Sequence, residues 1–207
     1  MLSAILFDLD GTLVNTDPIH FLAWQEMLGK YGVDIDENFY KTRISGRLNP
    51  EILTDILPQL SPTEAEEFAD EKEAKFRDMA SKLEALPGLK ELIAWTELHK
   101  IKRALVTNAP RDNAKFMLTV LGLEDTFELI VLAEDEAAAK PDPTPYRVAV
   151  ERLGVEVGNA IALEDSPSGI RSAVGAGLRT IGIASTHDPY NLHELGAFMV
   201  ISIIAGR

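Results

Sequence analysis

The stretch AILFDLDGT, residues 4–12, joins a short apolar run to two carboxylates. The apolar run Ala4–Phe7 is typical of a strand buried on both faces of a parallel sheet. Asp8 and Asp10 follow it, and residues two apart in an extended chain point to the same side. Because like charges are costly to bury, a divalent cation such as Mg²⁺, with a phosphate group, would stabilise the pair. The alternative is an ordinary strand end with solvated acids.

Length and composition narrow the class of protein. The chain has 207 residues, of which 46% are hydrophobic, enough for one sizeable core or a core with a smaller domain. Its apolar stretches have the length of strands rather than membrane spans, and its first residues contain neither a basic region nor a cleavage site. The absence of cysteine fits a reducing compartment, so we expect a cytoplasmic protein.

The charge of the chain limits its partners. The formal net charge of −13 argues against nucleic acid and anionic membranes. An anionic small molecule remains possible only where local cations overcome the overall negative field. We therefore expect a small-molecule substrate. We also expect a monomeric protein.

Apolar strand-length runs alternate with amphipathic helix-length segments along most of the chain. The predicted strands are Ala4–Phe7, Arg103–Val106, Leu129–Leu132, Ala160–Leu163, Thr180–Ala184 and Phe198–Ile201. The predicted helices between the later strands are 87–98, 110–121, 143–153 and 167–176. This alternation predicts an α/β fold, a Rossmann-like parallel sheet core with helices on both faces.

Residues 16–82 interrupt the alternation, because they contain helical patterns only, including Glu64–Ser81. Turn-rich segments, 15–18 and 85–88, flank this stretch and could act as hinges. The sequence therefore predicts two domains, an α/β core of residues 1–15 and 83–207 and a small all-helical cap of residues 16–82 inserted after the first strand.

Polar residues follow other predicted strands, where ligands of open α/β sheets bind. Thr107 and Asn108 follow the second strand and suit phosphate oxygens, although an ordinary helix cap is the alternative. Lys140, in the loop after the third strand, would otherwise be a surface lysine. Glu164 and Asp165 follow the fourth strand.

Four short stretches in this order, DLDGT at 8–12, VTN at 106–108, KPDP at 140–143 and EDS at 164–166, resemble the four motifs of the haloacid dehalogenase superfamily. The resemblance covers nearly the whole chain. The helical insert resembles the cap of the β-phosphoglucomutase-like branch, and TNAPRDNA at 107–114 resembles sugar-phosphatases of that branch. The resemblance implies a phosphatase that hydrolyses small phosphate monoesters, among which sugar phosphates are favoured.

The resemblance also implies catalytic roles. Asp8 would be the nucleophile that forms an aspartyl-phosphate, and Asp10 the general acid and then the general base. Thr107 and Asn108 would hold phosphate oxygens, and Lys140 would neutralise Asp8 and the phosphate.

The implied metal is Mg²⁺. Its ligands would be Asp8, the backbone carbonyl of Asp10 and Asp165, with Glu164 nearby or acting through water.

Other activities stay open at this point. A phosphosugar mutase would return its phosphoryl group to the substrate, but Thr12 and the VTNAPR stretch at 106–111 favour a phosphatase by resemblance. A phosphoglycolate phosphatase is a further alternative. A non-catalytic phospho-receiver would need neither the helical insert nor Asp10.

The insert should supply contacts to the substrate. His20 matches a histidine of the β-phosphoglucomutases that organises the acid/base aspartate, and a half-buried structural histidine is the alternative. Arg47 and Lys72 fall where related caps present cations, although either could be a solvated surface charge. Arg111, beside the phosphate-binding turn, is a further substrate-binding candidate.

Overall fold

A computed structural model describes residues 1–203 of the chain. Its six strands are β1 (Ala4–Phe7), β2 (Lys102–Thr107), β3 (Leu129–Leu132), β4 (Ala160–Glu164), β5 (Arg179–Ala184) and β6 (Met199–Ser202). They form one fully parallel sheet in the order β3-β2-β1-β4-β5-β6. The order reverses direction at β1, so the carboxyl end of β1 lies at the switch point where open α/β sheets bind ligands.

Helices occupy the segments between the strands. In the insert they are α1 (Asp17–Gly29), α2 (Glu37–Arg43), α3 (Asn49–Ile56) and α4 (Pro62–Met79). The later ones are α5 (Leu89–Leu98), α6 (Arg111–Leu121), α7 (Thr144–Leu153), α8 (Pro167–Gly175) and α9 (Pro189–Glu194). No helix within residues 1–203 is long and apolar enough to span a membrane.

The chain forms two compact units. One contains Met1–Asn15 and the chain from Leu83 onward, and the other is Thr16–Lys82. The first, which we call the sheet unit, contains the whole sheet. The second, which we call the helical unit, has its own core around Trp24 and Phe68. Its longest helix, α4, begins with a capping box between Ser61 and Glu64.

The sheet unit is built around β1, whose residues are all buried, as the apolar run predicts. Ala4 and Leu6 belong to a core that includes Tyr146 and Ala149 of α7. Alternate residues of a strand face opposite sides, so the other two residues of β1 point to the opposite face. Phe7 there makes an edge-on contact with Phe127.

The predicted fold class is confirmed, and the predicted strands and helices agree with the structure within a few residues. Two details differ. Pro110 caps α6 rather than opening it, so the helix begins at Arg111. The short helix α9 is missing from the prediction, because six residues, Pro189–Glu194, are too few to show a helical period.

Candidate active site

The register of the sheet brings the predicted acidic residues together. Phe7 is paired with Leu163 of β4, so Asp8 and Glu164 come one residue after the same pair. Asp8, Glu164 and Asp165 are all buried, and one oxygen of each lies within 4.8 Å of the others. Asp10 is half-buried, two residues further along the same loop.

Lys140 lies at the centre of this cluster and is buried, so the alternative of a surface lysine is wrong. Its side chain is only 3% exposed, and its Nζ donates to Asp8 Oδ1 at 2.7 Å and to Glu164 Oε1 at 2.5 Å. A third bond goes to the carbonyl of Val106 at 2.8 Å. Burial opposes its charge, but the carboxylates of Asp8 and Glu164 raise the pKa of Lys140, so the ammonium form persists.

Glu164 is held by a residue that the sequence analysis did not select. The buried hydroxyl of Tyr146, on α7, donates to Glu164 Oε1 at 2.6 Å. Burial and the charge of Glu164 raise the pKa of Tyr146 well above 10.0, so this hydroxyl keeps its proton and donates. Gly169 of α8 leaves the space for the carboxylate, because a Cβ there would lie 1.9 Å from Glu164 Oε2.

The pKa of Asp8 is strongly raised by its surroundings. Burial, with the charges of Glu164 and Asp10, raises the pKa of Asp8 from 3.8 to about 8, although Lys140 acts in the opposite direction. The ammonium of Lys140 pairs with two buried carboxylates, Asp8 and Glu164, and the buried carboxylate of Asp165 lies within 4.8 Å of both. The cluster therefore favours an additional positive charge.

Asn108 holds the loop that carries Lys140. Its Nδ2 donates to the carbonyl of Lys140 and its Oδ1 accepts from the N–H of Lys140, both at 3.1 Å. The side-chain amide of Asn108 is thus hydrogen-bonded through both its nitrogen and its oxygen to the backbone of Lys140, and its predicted contact with phosphate stays a prediction. Thr107 is buried, and its Oγ1 accepts from the N–H of Ala109 at 2.9 Å.

The donor set fits a hard divalent cation. The three clustered side chains, Asp8, Glu164 and Asp165, all offer carboxylate oxygens, which are the donor type that Mg²⁺ prefers. Glu164 Oε2 is buried and has no hydrogen-bond partner among residues 1–203. Gly11 provides the close approach: it has a φ of 78°, and a Cβ there would lie 2.0 Å from Asp165 Oδ2.

The family model described as haloacid dehalogenase-like hydrolase matches residues 5–183, which include all of these residues. The chain belongs to this family. It is an enzyme of the β-phosphoglucomutase-like branch of haloacid dehalogenase-like hydrolases, as the four motifs predict.

Relatives in this family match the chain over almost its full length. Validoxylamine A 7'-phosphate phosphatase from Streptomyces hygroscopicus subsp. limoneus is 33% identical, covering 94% of this chain and 91% of its own. The phosphorylated carbohydrates phosphatase of Thermotoga maritima is 32% identical, covering 97% and 94%. The crystal structure of the β-phosphoglucomutase from Clostridium difficile superposes with a TM-score of 0.85 at 29% identity, covering 97% and 91%.

Arg111 is engaged with acidic neighbours within the sheet unit of this hydrolase. Its guanidinium forms ion pairs with Glu134 at 3.1 Å and Asp135 at 2.5 Å. The hydrogen bond and charge of Asp135 raise the pKa of Arg111. A substrate that binds Arg111 would therefore compete with these two carboxylates.

Two of the candidates in the helical unit lie on α1 and α4. Lys72 is 2% exposed, pairs with Glu73 and lies 5.1 Å from the centre of the Trp24 ring, so the alternative of a solvated surface lysine is wrong. His20 is half-buried, stacks on Phe76 at 4.0 Å and places Nδ1 3.5 Å from Lys72 Nζ. These contacts fit the structural interpretation of His20.

Arg47, the third candidate, is about one-third exposed. It pairs with Asp55 at 3.0 Å and donates to the carbonyls of Arg43 and Glu51. Asp55 is shared with Arg43, and the hydrogen bonds from both guanidinium groups lower the pKa of Asp55.

Beyond the predicted residues, the structure adds Tyr146 and the loop Ser185–His187 to the site. Ser185 donates to the carbonyl of Gly11, and Thr186 donates to Asp165 Oδ2. The rule that selected the other residues, polar groups after a strand, also applies to this loop after Ala184. An aromatic residue on a core-facing helix such as Tyr146 carries no comparable signal, because packing explains it equally well.

Proposed function

We propose that the protein is a magnesium-dependent phosphoric monoester hydrolase that acts on phosphorylated carbohydrates through an aspartyl-phosphate on Asp8. The observation that carries the proposal is the position of Lys140 Nζ, 2.7 Å from Asp8 Oδ1 and 2.5 Å from Glu164 Oε1. A buried ammonium beside a carboxylate nucleophile offsets the repulsion between that carboxylate and an anionic phosphate ester.

The relatives support the substrate class. The relative named phosphorylated carbohydrates phosphatase is 32% identical over 97% of this chain, and the relative named validoxylamine A 7'-phosphate phosphatase is 33% identical over 94% of it. The net charge of −13 makes long-range attraction of a sugar phosphate unfavourable, so the local charge of Lys140 is important for binding.

Each core residue has a distinct role in the proposed reaction. Asp8 Oδ attacks phosphorus, and the bond between phosphorus and the sugar oxygen breaks as Asp10 gives that oxygen its proton. Asp10 then takes a proton from water, which attacks the aspartyl-phosphate and releases phosphate and the Asp8 carboxylate. Lys140 stays charged throughout and stabilises the anionic oxygens, while Asn108 holds the Lys140 backbone in place.

Asp8, Asp165 and Glu164 would hold the metal, together with the backbone carbonyl of Asp10. When bound, Mg²⁺ supplies the positive charge that offsets the buried carboxylates and the transferring phosphoryl group. Two partly exposed cations, Arg47 of the helical unit and Arg111 of the sheet unit, are proposed as candidates for recognising the sugar portion of the substrate, whereas Lys72 and His20 are engaged with neighbours in the helical unit.

The test is phosphate release from a panel of sugar phosphates by wild type and the Asp8→Asn variant, with Mg²⁺ and with EDTA. We expect Asp8→Asn and EDTA each to abolish release, because the first removes the attacking oxygen and the second removes the metal. Asp125→Asn, which alters an exposed aspartate, is the matched control and should keep wild-type activity. Release at the wild-type rate by folded Asp8→Asn would refute the proposed nucleophile.

The similarity to a β-phosphoglucomutase supports one second candidate, a phosphosugar mutase. A mutase would convert a sugar monophosphate into its isomer and form a sugar bisphosphate on the way. Phosphorus NMR of the reaction distinguishes the two activities, because only the hydrolase accumulates inorganic phosphate in proportion to the substrate consumed.

A further inference from the structure

The loop after β5 reaches both acidic loops of the active site. Ser185 Oγ donates to the carbonyl of Gly11, next to Asp10, and Thr186 Oγ1 donates to Asp165 Oδ2. None of the four motifs includes this loop. It nevertheless lies at the same edge of the sheet, because β5 pairs with β4 in a parallel register that aligns Gly182 with Glu164.

The direction of the hydrogen bonds follows from chemistry. An ionised carboxylate only accepts, so the single hydroxyl proton of Thr186 goes to Asp165 Oδ2. His187 Nδ1 lies 2.8 Å from the same Thr186 oxygen, which has no second proton to donate. His187 Nδ1 therefore donates to Thr186 in the tautomer that is compatible with this assignment.

Asp165 is confined on a second side by Gly11. A Cβ at residue 11 would lie 2.0 Å from Asp165 Oδ2 and 2.4 Å from its Cγ, so the carboxyl group packs directly against the backbone. The last side-chain torsion of aspartate is intrinsically broad. Packing against Gly11 limits where the carboxyl group can lie, and the Thr186 hydroxyl selects which way its oxygens point.

We propose that Thr186 is a positioning residue that orients Asp165 for cation binding. By binding Oδ2 it keeps the carboxylate turned so that Asp8, Glu164 and Asp165 present oxygens within 4.8 Å of one another. The identity of the cation as Mg²⁺ rests on the proposed function. Outer groups that orient metal ligands typically contribute about 10–100-fold to metal affinity.

The test measures Mg²⁺ binding to the protein alone by isothermal titration calorimetry. We expect Thr186→Val, which removes the hydroxyl at nearly constant shape, to weaken binding by about 10–100-fold. Thr186→Ser keeps the hydroxyl and should restore binding. Thr180→Val is the matched control, because it also removes a buried threonine hydroxyl. Among the described contacts, the Thr180 hydroxyl on β5 bonds only to the carbonyl of Leu178. This variant should bind Mg²⁺ as tightly as wild type does.

Thermal unfolding of each variant checks the fold, and Thr186→Ala replaces Thr186→Val if the valine variant does not fold. In kinetic assays, the Mg²⁺ concentration for half-maximal rate should rise in Thr186→Val, while KM for substrate at saturating Mg²⁺ stays unchanged. Wild-type affinity in folded Thr186→Val, equal losses in Thr180→Val, or no Mg²⁺ binding by wild type would each overturn the proposal. Normal Mg²⁺ binding without phosphate release would contradict the proposed function and leave this inference standing.

Discussion

Replacing Gly169 by alanine should destabilise the protein, although alanine is normally the better residue in a helix. Gly169 belongs to α8 and has no positive φ, so the helix itself would gain up to about 1 kcal/mol from the change. The new Cβ, however, would lie 1.9 Å from Glu164 Oε2 and 2.1 Å from Oε1, where ordinary contacts begin at 3.4 Å. The Glu164 carboxyl group would have to retreat by about 1.5 Å to reach that distance.

That displacement is larger than the hydrogen bonds of Glu164 can absorb. Its Oε1 accepts from Lys140 at 2.5 Å and from Tyr146 at 2.6 Å, and all three side chains are buried. Breaking a buried, hydrogen-bonded ion pair costs about 3–5 kcal/mol. After the helix gain is subtracted, the net loss is about 2–4 kcal/mol, or roughly 5–15 °C in Tm for a chain of this size.

Urea and thermal unfolding followed by circular dichroism would measure the loss. Gly158→Ala is the matched control, because a Cβ there has nothing within 4 Å and the backbone φ is not positive. Catalytic rate should also fall in Gly169→Ala, because Lys140 loses one of its anchors. Stability of Gly169→Ala equal to that of Gly158→Ala would show that Glu164 moves without cost and would refute the reasoning.

Two further predictions concern the active site of the sheet unit and a buried ion pair of the helical unit. Asp10→Asn should lower the rate on sugar phosphates by about 10²–10⁴-fold, but far less on p-nitrophenyl phosphate, whose leaving group needs no proton. Lys140→Ala should lower the rate on both substrates by about 10²–10³-fold. Measurement of kcat/KM for the two substrates checks this, and equal sensitivity of the two variants to the leaving group would contradict their separate roles. In the helical unit, burial favours the neutral form of Glu73, but Lys72, His20 and Asn49 together hold the pKa of Glu73 below its ordinary 4.5. Its contribution to stability is therefore present above about pH 4.5 and is lost as pH falls through the lower folded pKa. Glu73→Gln should flatten the fall in unfolding free energy between about pH 5 and pH 3 in urea titrations, and an unchanged slope would argue against this ion pair.

The local pattern of the chain was sufficient to predict its strands, most of its helices and its family. Continuous apolar runs such as Ala4–Phe7 predict buried parallel strands, and the polar groups that follow such runs mark the edge where ligands bind. Asp8, Lys140 and Asp165 were selected in this way, and the structure places all three in one buried cluster. This succeeds because the apolar runs that form strands, and the polar residues at which they end, are properties of short segments.

Which groups touch was decided only by the tertiary structure. Lys140 and Asp8 are 132 residues apart, and their 2.7 Å contact depends on the pairing of β1 with β2 and β4. For the same reason the sequence could not show that Asn108 binds the Lys140 backbone or that Tyr146 holds Glu164. Lys72, which a charge-dense stretch suggests is solvated, is buried against Glu73 and Trp24. In each case at least one contact that fixes the polar side chain comes from a distant segment, as Trp24 does for Lys72, so local polarity does not determine its surroundings.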